Sequence, residues 1–415
     1  MERRFANYVM LQCTNDVRVG SYLETVSGTR LMAKTHPFDL FRGGFSDLIR
    51  PPPDNIPTLD VLRSMAILLV FSAHVGGVFE ASPRVSKLPL IYFGWSGVDL
   101  FFVLSGLLIG TQLWKEVQRS GRIQVGVFLL RRGLRIWPLY FSLAALLGAE
   151  ILFAGRSPSG LWSDVLFLSN YFHNQIGGGW SLSTEEQFYV LAPVCISISA
   201  LKVKPRHLWL LPVAGLLVPL ISRAISMAHS ALNEADLRQK LYFPSHTHSD
   251  GLLIGMLLGW FVVFHPALVR STRIRVFASA VLFVVGIGLY LVSHVLFNFT
   301  ALALIFGAAT CLGMGLATTP WILNWRGFYL ISRLSYGVYL NHFGILPRIH
   351  AVLWAWRLQA GEVGFWICFA ISLVVCLGFA ALTFQLIEWP FLQIRSRWLA
   401  SRKRRQLAMN PVGSA

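Results

Sequence analysis

Two basic side chains in the stretch LDVLRSMAILLVFSAHVGG are suited to act on one substrate. Arg63 and His74 are eleven positions apart, which leaves them about 20° from alignment on a helix and separates them by ~16 Å along its axis. An arginine at the rim of a membrane can steer an anion, and a histidine deeper in can take up a proton. An arginine that extends to the membrane surface and a histidine hydrogen-bonded between helices explain the spacing equally well.

A second basic motif, FLLRRGLRIWPLYF, begins another apolar run. Arg132 and Arg135 are three positions apart and therefore share a helix face. Two guanidinium groups at this spacing can hold a phosphate or a diphosphate. Cytosolic arginines that orient a membrane helix produce the same pattern, so the motif alone does not decide between anion binding and anchoring.

The stretch WSLSTEEQFYVLAP places two adjacent carboxylates at the start of an apolar run. Ser183 followed three positions later by Glu186 has the pattern of a capping box, which assigns Glu186 to the helix start. Glu185 has no such structural role, and a carboxylate near the non-cytosolic rim can orient a histidine or bind sugar hydroxyls. Trp180 adds an aromatic surface for stacking. The pattern therefore predicts one capping residue and one residue that faces a reaction cavity.

The segment FPSHTHSDGLLIG collects His246, His248 and Asp250 where a further apolar run begins. Metal ligation by these three is disfavoured because positions i, i+2 and i+4 do not share one helix face. Asp250 is interpreted instead as a carboxylate that binds a hydroxyl or orients a histidine on the acceptor side. Neither a bound metal nor a tightly bound cofactor is expected.

Three other ionisable residues lie in or beside apolar runs. His342, in SYGVYLNHF, is the alternative to His74 as a proton carrier. Arg348 and Glu388 lie near the ends of their runs and are interpreted as anchors or members of ion pairs. Ionisable groups are costly in a bilayer unless they face a protein interior or a wet cavity, so His342 joins the residues above as a functional candidate.

The composition indicates a membrane protein. Of 415 residues, 55% are hydrophobic and 13% are charged, and the mean hydropathy is +0.58. Runs that could cross a hydrocarbon core, two of them short or flanked by polar residues, lie at 61–80, 91–114, 134–155, 185–201, 208–227, 250–266, 277–293, 299–319, 334–354 and 363–388. The sequence predicts an all-α integral membrane protein with about ten transmembrane helices in a single bundle.

The distribution of Lys and Arg sets the predicted orientation. With the N-terminus in the cytosol, the loops and tail on that side carry twenty Lys and Arg, against six in the opposite loops. This bias predicts both termini in the cytosol and a multi-pass protein of the cytoplasmic (inner) membrane, in contact with membrane lipid. Because orientation accounts for the excess of 36 Lys and Arg over 19 Asp and Glu, nucleic acid is not an expected partner.

The cysteines and the terminal segments carry no further site. Four of the five cysteines lie inside apolar runs and none forms a CxxC pair, so neither a disulfide framework nor a zinc site is predicted. Residues 1–55 are polar and lack the apolar stretch of a signal peptide, which predicts a cytosolic extension. Residues 396–415 are predicted to form a basic cytosolic tail.

Taken in chain order, these motifs resemble those of the acyltransferase-3 family of bacterial membrane O-acyltransferases. The resemblance covers about residues 56–395. It rests on the Arg-x10-His pair, GVDLFFVLSGLLIG, FLLRRGLRIWPLYF, WSLSTEEQFYVLAP, SHTHSDGLLIGMLLG, SYGVYLNHF and the closing IEWPF. The Arg-x-x-Arg motif of the family falls on Arg132 and Arg135, and its acidic pair falls on Glu185 and Glu186.

The resemblance implies a reaction. Family members take an acyl group, commonly acetyl, from cytosolic acyl-CoA and place it on a hydroxyl of a cell-surface glycan or a related glycoside. For this chain it implies acyl-CoA as the donor substrate, bound by Arg63, Arg132 and Arg135. His74 is then the general base or a transient acyl carrier, and Glu185 orients His74 or the sugar.

The acceptor side and the partners follow from the same resemblance. Asp250, Glu186, Trp180 and His342 are the expected supporting residues, and the carbohydrate or glycoside acceptor stays open between several classes. Some family members carry a C-terminal SGNH-type domain, whereas this chain ends in a basic tail. A glycan-assembly protein or a separate extracytoplasmic acyl carrier is therefore an expected partner for any second transfer.

A secondary transporter of a sugar or lipid-linked sugar is the alternative from another functional class. Ten spans with buried charges and glycine-broken helices fit such a carrier. Two features of the sequence favour the enzyme: no half of the chain repeats the other, and the phosphate-suited arginines lie on the predicted cytosolic face, where an acyl-CoA donor would bind.

Overall fold

The computed structural model describes residues 44–52, 55–230, 232–314, 321–356 and 361–409. Every regular element in these ranges is a helix, which confirms the predicted all-α class. The long helices are α1 (Pro57–Val78), α2 (Gly97–Ser120), α3 (Val125–Phe153), α4 (Gly179–Ala200), α5 (Leu217–His229), α6 (Asp250–Phe264), α7 (Thr272–Val292), α8 (Asn298–Gly313), α9 (Arg326–Ala355), α10 (Gly361–Thr383) and α11 (Trp389–Met409).

Shorter elements connect these helices. The short α-helices are Pro89–Tyr92, Leu161–Val165, Leu210–Gly215, Glu234–Tyr242 and Pro266–Arg270; the 3₁₀ turns are Val85–Lys87, Gly94–Ser96, Pro205–His207 and Trp321–Asn324. Residues 44–49 are also helical. Of the predicted terminal segments, 1–43, 53–54 and 410–415 lie outside the described residues.

Helices long and apolar enough to cross a membrane support the predicted membrane protein. Within the described residues six helices meet both criteria, and α6 and α8 are shorter apolar helices. Each of the ten predicted spans overlaps one of the helices α1 to α10. The count of ten spans and the cytosolic position of the termini stay predictions, because length and composition do not show which helices cross the bilayer.

Burial separates a central helix from peripheral ones. In the segment Gly94–Ser120, which contains α2, 83% of the apolar window is buried, against 17% for α7. An apolar helix that packs little against protein must face lipid, so α7 lies at the periphery and α2 at the centre of the bundle.

Small residues bring α2 and α6 into close contact. A Cβ atom at Gly106 would lie 2.1 Å from the carbonyl oxygen of Leu252, and one at Gly255 would lie 2.1 Å from that of Val103. Membrane helices associate through such small-residue faces because lipid supplies no hydrophobic drive between them.

A π turn at Phe384–Glu388 joins α10 to α11. Pro390 has no backbone N–H and cannot form the bond to a carbonyl four residues back. Next to it, the N–H of Trp389 bonds to the carbonyl of Phe384, five residues back. The wider turn changes the helical register and brings Phe384 and Glu388 to the wall of a cavity.

Candidate active site

A cavity lies between α1, α2, α3, α4, α9 and the π turn with α11. Its empty volume, including the part open to solvent, is about 1200 Å³. The ionisable and hydroxyl side chains on its wall are Arg63, Ser105, Arg132, Arg135, Ser181, Glu185, Tyr189, Ser332, Arg333, Ser335, Tyr336, Tyr339, Glu388 and Arg395. A polar pocket of this size inside an apolar bundle is the candidate active site.

Five arginines from four helices line this cavity. Arg63 is on α1, Arg132 and Arg135 are on α3, Arg333 is on α9 and Arg395 is on α11. The other four are close enough to Arg135 for their charges to interact with it electrostatically. Anchoring at a membrane surface does not require arginines from separate helices to converge, and such like charges repel each other in a poorly solvated space. The arrangement therefore favours an anionic ligand.

One of these arginines, Arg132, is held by neighbouring side chains. Arg132 donates to Oε1 of Gln112 at 2.9 Å, and its guanidinium lies 5.8 Å from the ring centres of Phe128 and Tyr189. Hydrogen bonding and ring packing limit the rotamers of a long side chain. Arg132 is therefore presented to the cavity in a defined orientation before any ligand binds.

Glu185 lies on the cavity wall as the sequence predicts. The Tyr189 hydroxyl donates to Oε2 of Glu185 at 2.8 Å, and the same hydroxyl lies 2.9 Å from the Ser105 hydroxyl. These contacts link α4 to α2 inside the cavity. Nδ1 of His74 bonds to the Val70 carbonyl of its own helix at 2.7 Å, and the orientation of His74 or of the sugar by Glu185 stays a prediction.

The capping-box interpretation of Glu186 is wrong. The helix α4 begins at Gly179, earlier than expected, after Gly178 in a left-handed conformation with φ 73°. Ser183 is therefore inside the helix, where its hydroxyl lies 2.7 Å from that of Ser169. Glu186 accepts a hydrogen bond from the Trp137 indole at 3.1 Å. Its role is to join α4 to α3, and it is not among the residues that line the cavity.

This difference between neighbouring carboxylates predicts different effects of the same substitution. Glu185→Gln is expected to lower kcat by about ten- to hundredfold, because the cavity loses a placed negative charge. Glu186→Gln keeps an acceptor for the Trp137 indole and should change kcat by less than about twofold. Steady-state assays of both purified variants, matched for folded fraction, measure the contrast; a larger loss for Glu186→Gln would contradict it.

Two histidines meet next to the cavity. The rings of His74 and His342 are 4.9 Å apart in an edge-to-face arrangement, and the Phe343 ring is 4.5 Å from that of His74. Tyr339, which lines the cavity, lies 5.9 Å from the His342 ring. His74 and His342, the two alternative proton carriers, thus belong to one cluster. The stretch of α1 between Arg63 and His74 separates this cluster from the arginine end of the cavity.

Hydrogen bonds assign the tautomers of both histidines. Nδ1 of His74 faces the Val70 carbonyl, and Nδ1 of His342 faces that of Val338 at 3.0 Å. A carbonyl only accepts, so each neutral ring carries its proton on Nδ1 and a lone pair on Nε2. Nε2 of His342 is buried and has no hydrogen-bond partner among the described residues. The pair therefore offers two basic nitrogens, as proton transfer requires.

Asp250 is held in a buried ion pair and is not among the residues that line the cavity. Arg223 donates to both of its oxygens, at 2.8 and 3.0 Å, and the Thr300 hydroxyl donates to Oδ1 at 2.5 Å. The Arg223 and Asp250 side chains are both 0% exposed. The interpretation of Asp250 as an acceptor-side residue is replaced by that of a buried ion pair which joins α5, α6 and α8.

Trp180 also packs away from the cavity. Its ring stacks on His248 at 5.6 Å and contacts Tyr242 at 4.7 Å. His248 in turn bonds through Nε2 to Oδ1 of Asp99 at 2.8 Å. The aromatic surface predicted for an acceptor is instead the cover of a buried carboxylate and histidine pair, which the sequence motifs did not reveal.

The carboxylate of Asp164 stabilises the loop that precedes α4. The backbone N–H groups of Gln175 and Ile176 donate to Oδ2 of Asp164 at 2.7 and 3.1 Å. Burial raises the pKa of Asp164, while these two hydrogen bonds act in the opposite direction. The contacts fix the loop that carries the glycines before α4.

Sequence reasoning missed several buried charged residues. Arg223 lies inside the predicted span 208–227, so the rule that intramembrane charges are functional or paired could have identified it. The sequence analysis counts Arg333 and Arg395 only among the orienting charges and interprets Glu388 as an anchor or a member of an ion pair, whereas all three line the cavity. Their spacing along the chain gave no signal, because the cavity joins separate helices.

Comparison with known proteins identifies the family. The profile of the acyltransferase-domain family matches residues 56–384. The chain is 25% identical over 390 residues to a Staphylococcus aureus (strain COL) protein provisionally named an O-acetyltransferase. It is also 25% identical over 372 residues to the O-acetyltransferase OatA of Staphylococcus aureus (strain NCTC 8325 / PS 47).

These relatives are longer than the region they share with this protein. Each match covers 81% of this chain and 57% of the relative, so the chain spans a little over half of their length. No solved structure matches the chain significantly. Because the family profile extends from the start of α1 to the π turn, the chain belongs to the acyltransferase-3 family of membrane proteins.

Proposed function

We propose that this protein transfers an acyl group, most simply acetyl, from acyl-CoA to a hydroxyl of a cell-surface glycan or glycoside. The observation that carries the proposal is the convergence of five arginines on one cavity in a chain of this family. The names of the relatives, both O-acetyltransferases, support acetyl as the group and oxygen as the acceptor atom. The protein would act in the cytoplasmic membrane.

The charge of the cavity is complementary to acyl-CoA. Five arginines and two glutamates line it, a formal balance of +3 when both glutamates are ionised. Coenzyme A carries a diphosphate and a phosphomonoester, all negatively charged at neutral pH, and forked guanidinium groups bind such oxygens well. The remaining wall is largely apolar, which suits the uncharged arm between the phosphates and the thioester.

The chemical step is assigned to the histidine cluster. Nε2 of His74 has a lone pair and can accept the proton of the acceptor hydroxyl as its oxygen attacks the thioester carbonyl, with the thiolate of coenzyme A leaving. In the second route, Nε2 attacks the thioester first and the acceptor hydroxyl then takes the acyl group from the imidazole. Both routes use the same nitrogen, and both place the thioester at the end of the cavity opposite Arg63.

The arginine pair on α3 supplies the test of donor binding. Arg132→Gln combined with Arg135→Gln is expected to raise the KM for acetyl-CoA by about tenfold or more, because two charge-assisted contacts are lost, while kcat changes less. Arg348→Gln, which removes an exposed arginine paired with Glu150, is the matched control and should leave KM unchanged. An unchanged KM in the double variant would contradict donor binding and favour the interpretation of Arg132 and Arg135 as membrane anchors.

Radiolabelled acetyl-CoA separates the enzyme from the transporter alternative. With the label in the acetyl group, the enzyme transfers radioactivity covalently to a glycan or glycoside acceptor supplied with the protein in vesicles. A sugar transporter instead leaves the acetyl label on coenzyme A. When the sugar carries the label, such a transporter moves that label into the vesicles. Transfer that requires His74 supports the proposal, and sugar uptake without transfer overturns it.

A further inference from the structure

We infer that Tyr339 closes the arginine-lined cavity against the histidine cluster and thereby makes acyl transfer selective for the acceptor over water. The inference rests on the proposed function and adds a residue that controls when the thioester reaches the base. Its basis is that His74 and His342 are not among the residues that line the cavity, whereas Tyr339 lines it and lies 5.9 Å from the His342 ring.

The cavity ends about one helical turn before the histidines. On α9 its wall extends as far as Tyr339, and His342, three residues further along, is not part of it. On α4 the wall begins with Ser181, three residues after Gly178. His342 in turn contacts His74 toward the end of α1. A thioester in the cavity is therefore separated from both imidazoles by the ring of Tyr339.

Hydrogen bonds hold Tyr339 across this end of the cavity. Its hydroxyl donates to the Gly178 carbonyl at 3.0 Å and is hydrogen-bonded to the Ser181 hydroxyl, so the side chain joins α9 to the start of α4. The Phe101 ring of α2 lies edge-on to the Tyr339 ring at 6.4 Å. A tyrosine held at its ring and at its hydroxyl stays in one rotamer.

The exposed part of His74 faces away from the cavity. His74 is partly exposed although it is not on the cavity wall, whereas His342 is 0% exposed. An acceptor that approaches the exposed part of His74 meets the base without passing through the cavity. Donor and acceptor thus reach the histidine cluster from different directions.

Phe343 connects the acceptor side to Tyr339. Its ring lies 4.5 Å from that of His74, and a Cβ atom at Gly178 would lie 2.5 Å from Cε2 of Phe343. The ring therefore packs on the turn whose carbonyl holds the Tyr339 hydroxyl. An acceptor that moves Phe343 shifts this turn, which releases Tyr339 and lets the thioester reach His74.

Closure by Tyr339 limits a competing reaction with water. In hydrolysis of acetyl-CoA the water oxygen bonds to the carbonyl carbon, the C–S bond breaks, and a proton of the water ends on the thiolate of coenzyme A. A positioned base accelerates this reaction as it accelerates transfer. While Tyr339 separates the thioester from His74, water in the cavity lacks that base, and the acyl group is kept for the acceptor.

Release of the thiol from acetyl-CoA, measured with the purified full chain and no acceptor, tests the inference. Tyr339→Ala is expected to raise the release rate by about tenfold or more. Tyr339→Phe keeps the ring but loses both hydrogen bonds, so it should raise the rate by a smaller factor. Adding His74→Gln to either variant should remove the increase. Tyr329→Phe is the matched control, because it removes a hydroxyl of the same helix that donates to the Asp47 carbonyl, also at 3.0 Å, and it should leave the rate unchanged.

Binding of acetyl-CoA, measured in parallel, separates this inference from the proposed donor. No binding by the wild type would overturn both. If the Tyr339 variants bind acetyl-CoA within about twofold of the wild type but release the thiol no faster, the closing role of Tyr339 is wrong and acyl-CoA remains the donor. An increase that survives His74→Gln, or loss of binding in both variants, would also overturn it. Where Tyr339→Ala does not fold, Tyr339→Phe decides.

Discussion

Replacing His74 with alanine is expected to lower acyl transfer by about 10²- to 10⁴-fold, the range that a positioned acid or base contributes. If the imidazole is also the acyl carrier, the loss is complete. The ring bonds to its own helix through Nδ1 and contacts His342 and Phe343, so alanine removes packing as well as chemistry. Melting temperature and membrane insertion must therefore be measured with the acetyl-transfer rate.

Matched histidine variants separate chemistry from packing at this cluster. His74→Gln fills most of the volume but lacks a basic nitrogen, and it should be as inactive as His74→Ala. His294→Ala removes an exposed histidine bonded to Glu234 and should leave activity within about twofold, as surface substitutions usually do. Near wild-type transfer by a well-folded His74→Gln protein would exclude His74 from the mechanism and leave His342 as the remaining basic group of the cluster.

Breaking the Arg223 and Asp250 pair is expected to be the most damaging change to folding. Both side chains are 0% exposed, and Arg223 also donates to the Thr247 carbonyl at 2.7 Å. Asp250→Asn or Arg223→Met leaves an uncompensated buried charge, with an expected cost of about 3–5 kcal/mol. Replacing both residues by leucine removes both charges, so the double variant should be more stable than either single one. Melting temperatures of the detergent-solubilised proteins measure the series.

An exposed pair of similar geometry is the control for burial. Arg348 donates to the two oxygens of Glu150 at 2.6 and 2.7 Å, and these side chains are 62% and 53% exposed. Since solvent screens such pairs, Glu150→Gln should cost no more than about 1 kcal/mol. If Asp250→Asn and Glu150→Gln lower the stability equally, burial does not increase the contribution of the Arg223 and Asp250 pair, and the prediction is wrong.

Patterns of a few neighbouring residues predicted the local features of the structure, namely the positions of the helices and the side chains that share a helix face. Apolar runs placed the helices α1 to α10, since each run must bury its backbone polar groups internally in lipid. The spacing of Arg132 and Arg135 placed both on one helix face, and both line the cavity. The order of the motifs identified the family. The side chains proposed for donor binding were therefore largely readable from sequence.

The roles of individual carboxylates were not readable in this way. Glu185 and Glu186 are neighbours in the chain, yet one bonds to Tyr189 in the cavity and the other to Trp137 on α3. The capping-box pattern was misleading because a glycine in the left-handed conformation starts the helix earlier. Where the helix begins decides whether a Ser-x-x-Glu pattern caps its start or lies inside it, and here the helix begins directly after Gly178.

By itself, the sequence determined the helical class, the membrane character and the Arg-x10-His and Arg-x-x-Arg groups. Only the tertiary structure decided which charges are partners. His248 meets Asp99 across 149 positions, and Arg333 meets Asp47 across 286. A charge buried in an apolar bundle must find an opposite charge or a hydrogen bond wherever the packed helices bring one. Such partners are chosen by proximity in space, which patterns three or four residues long do not contain.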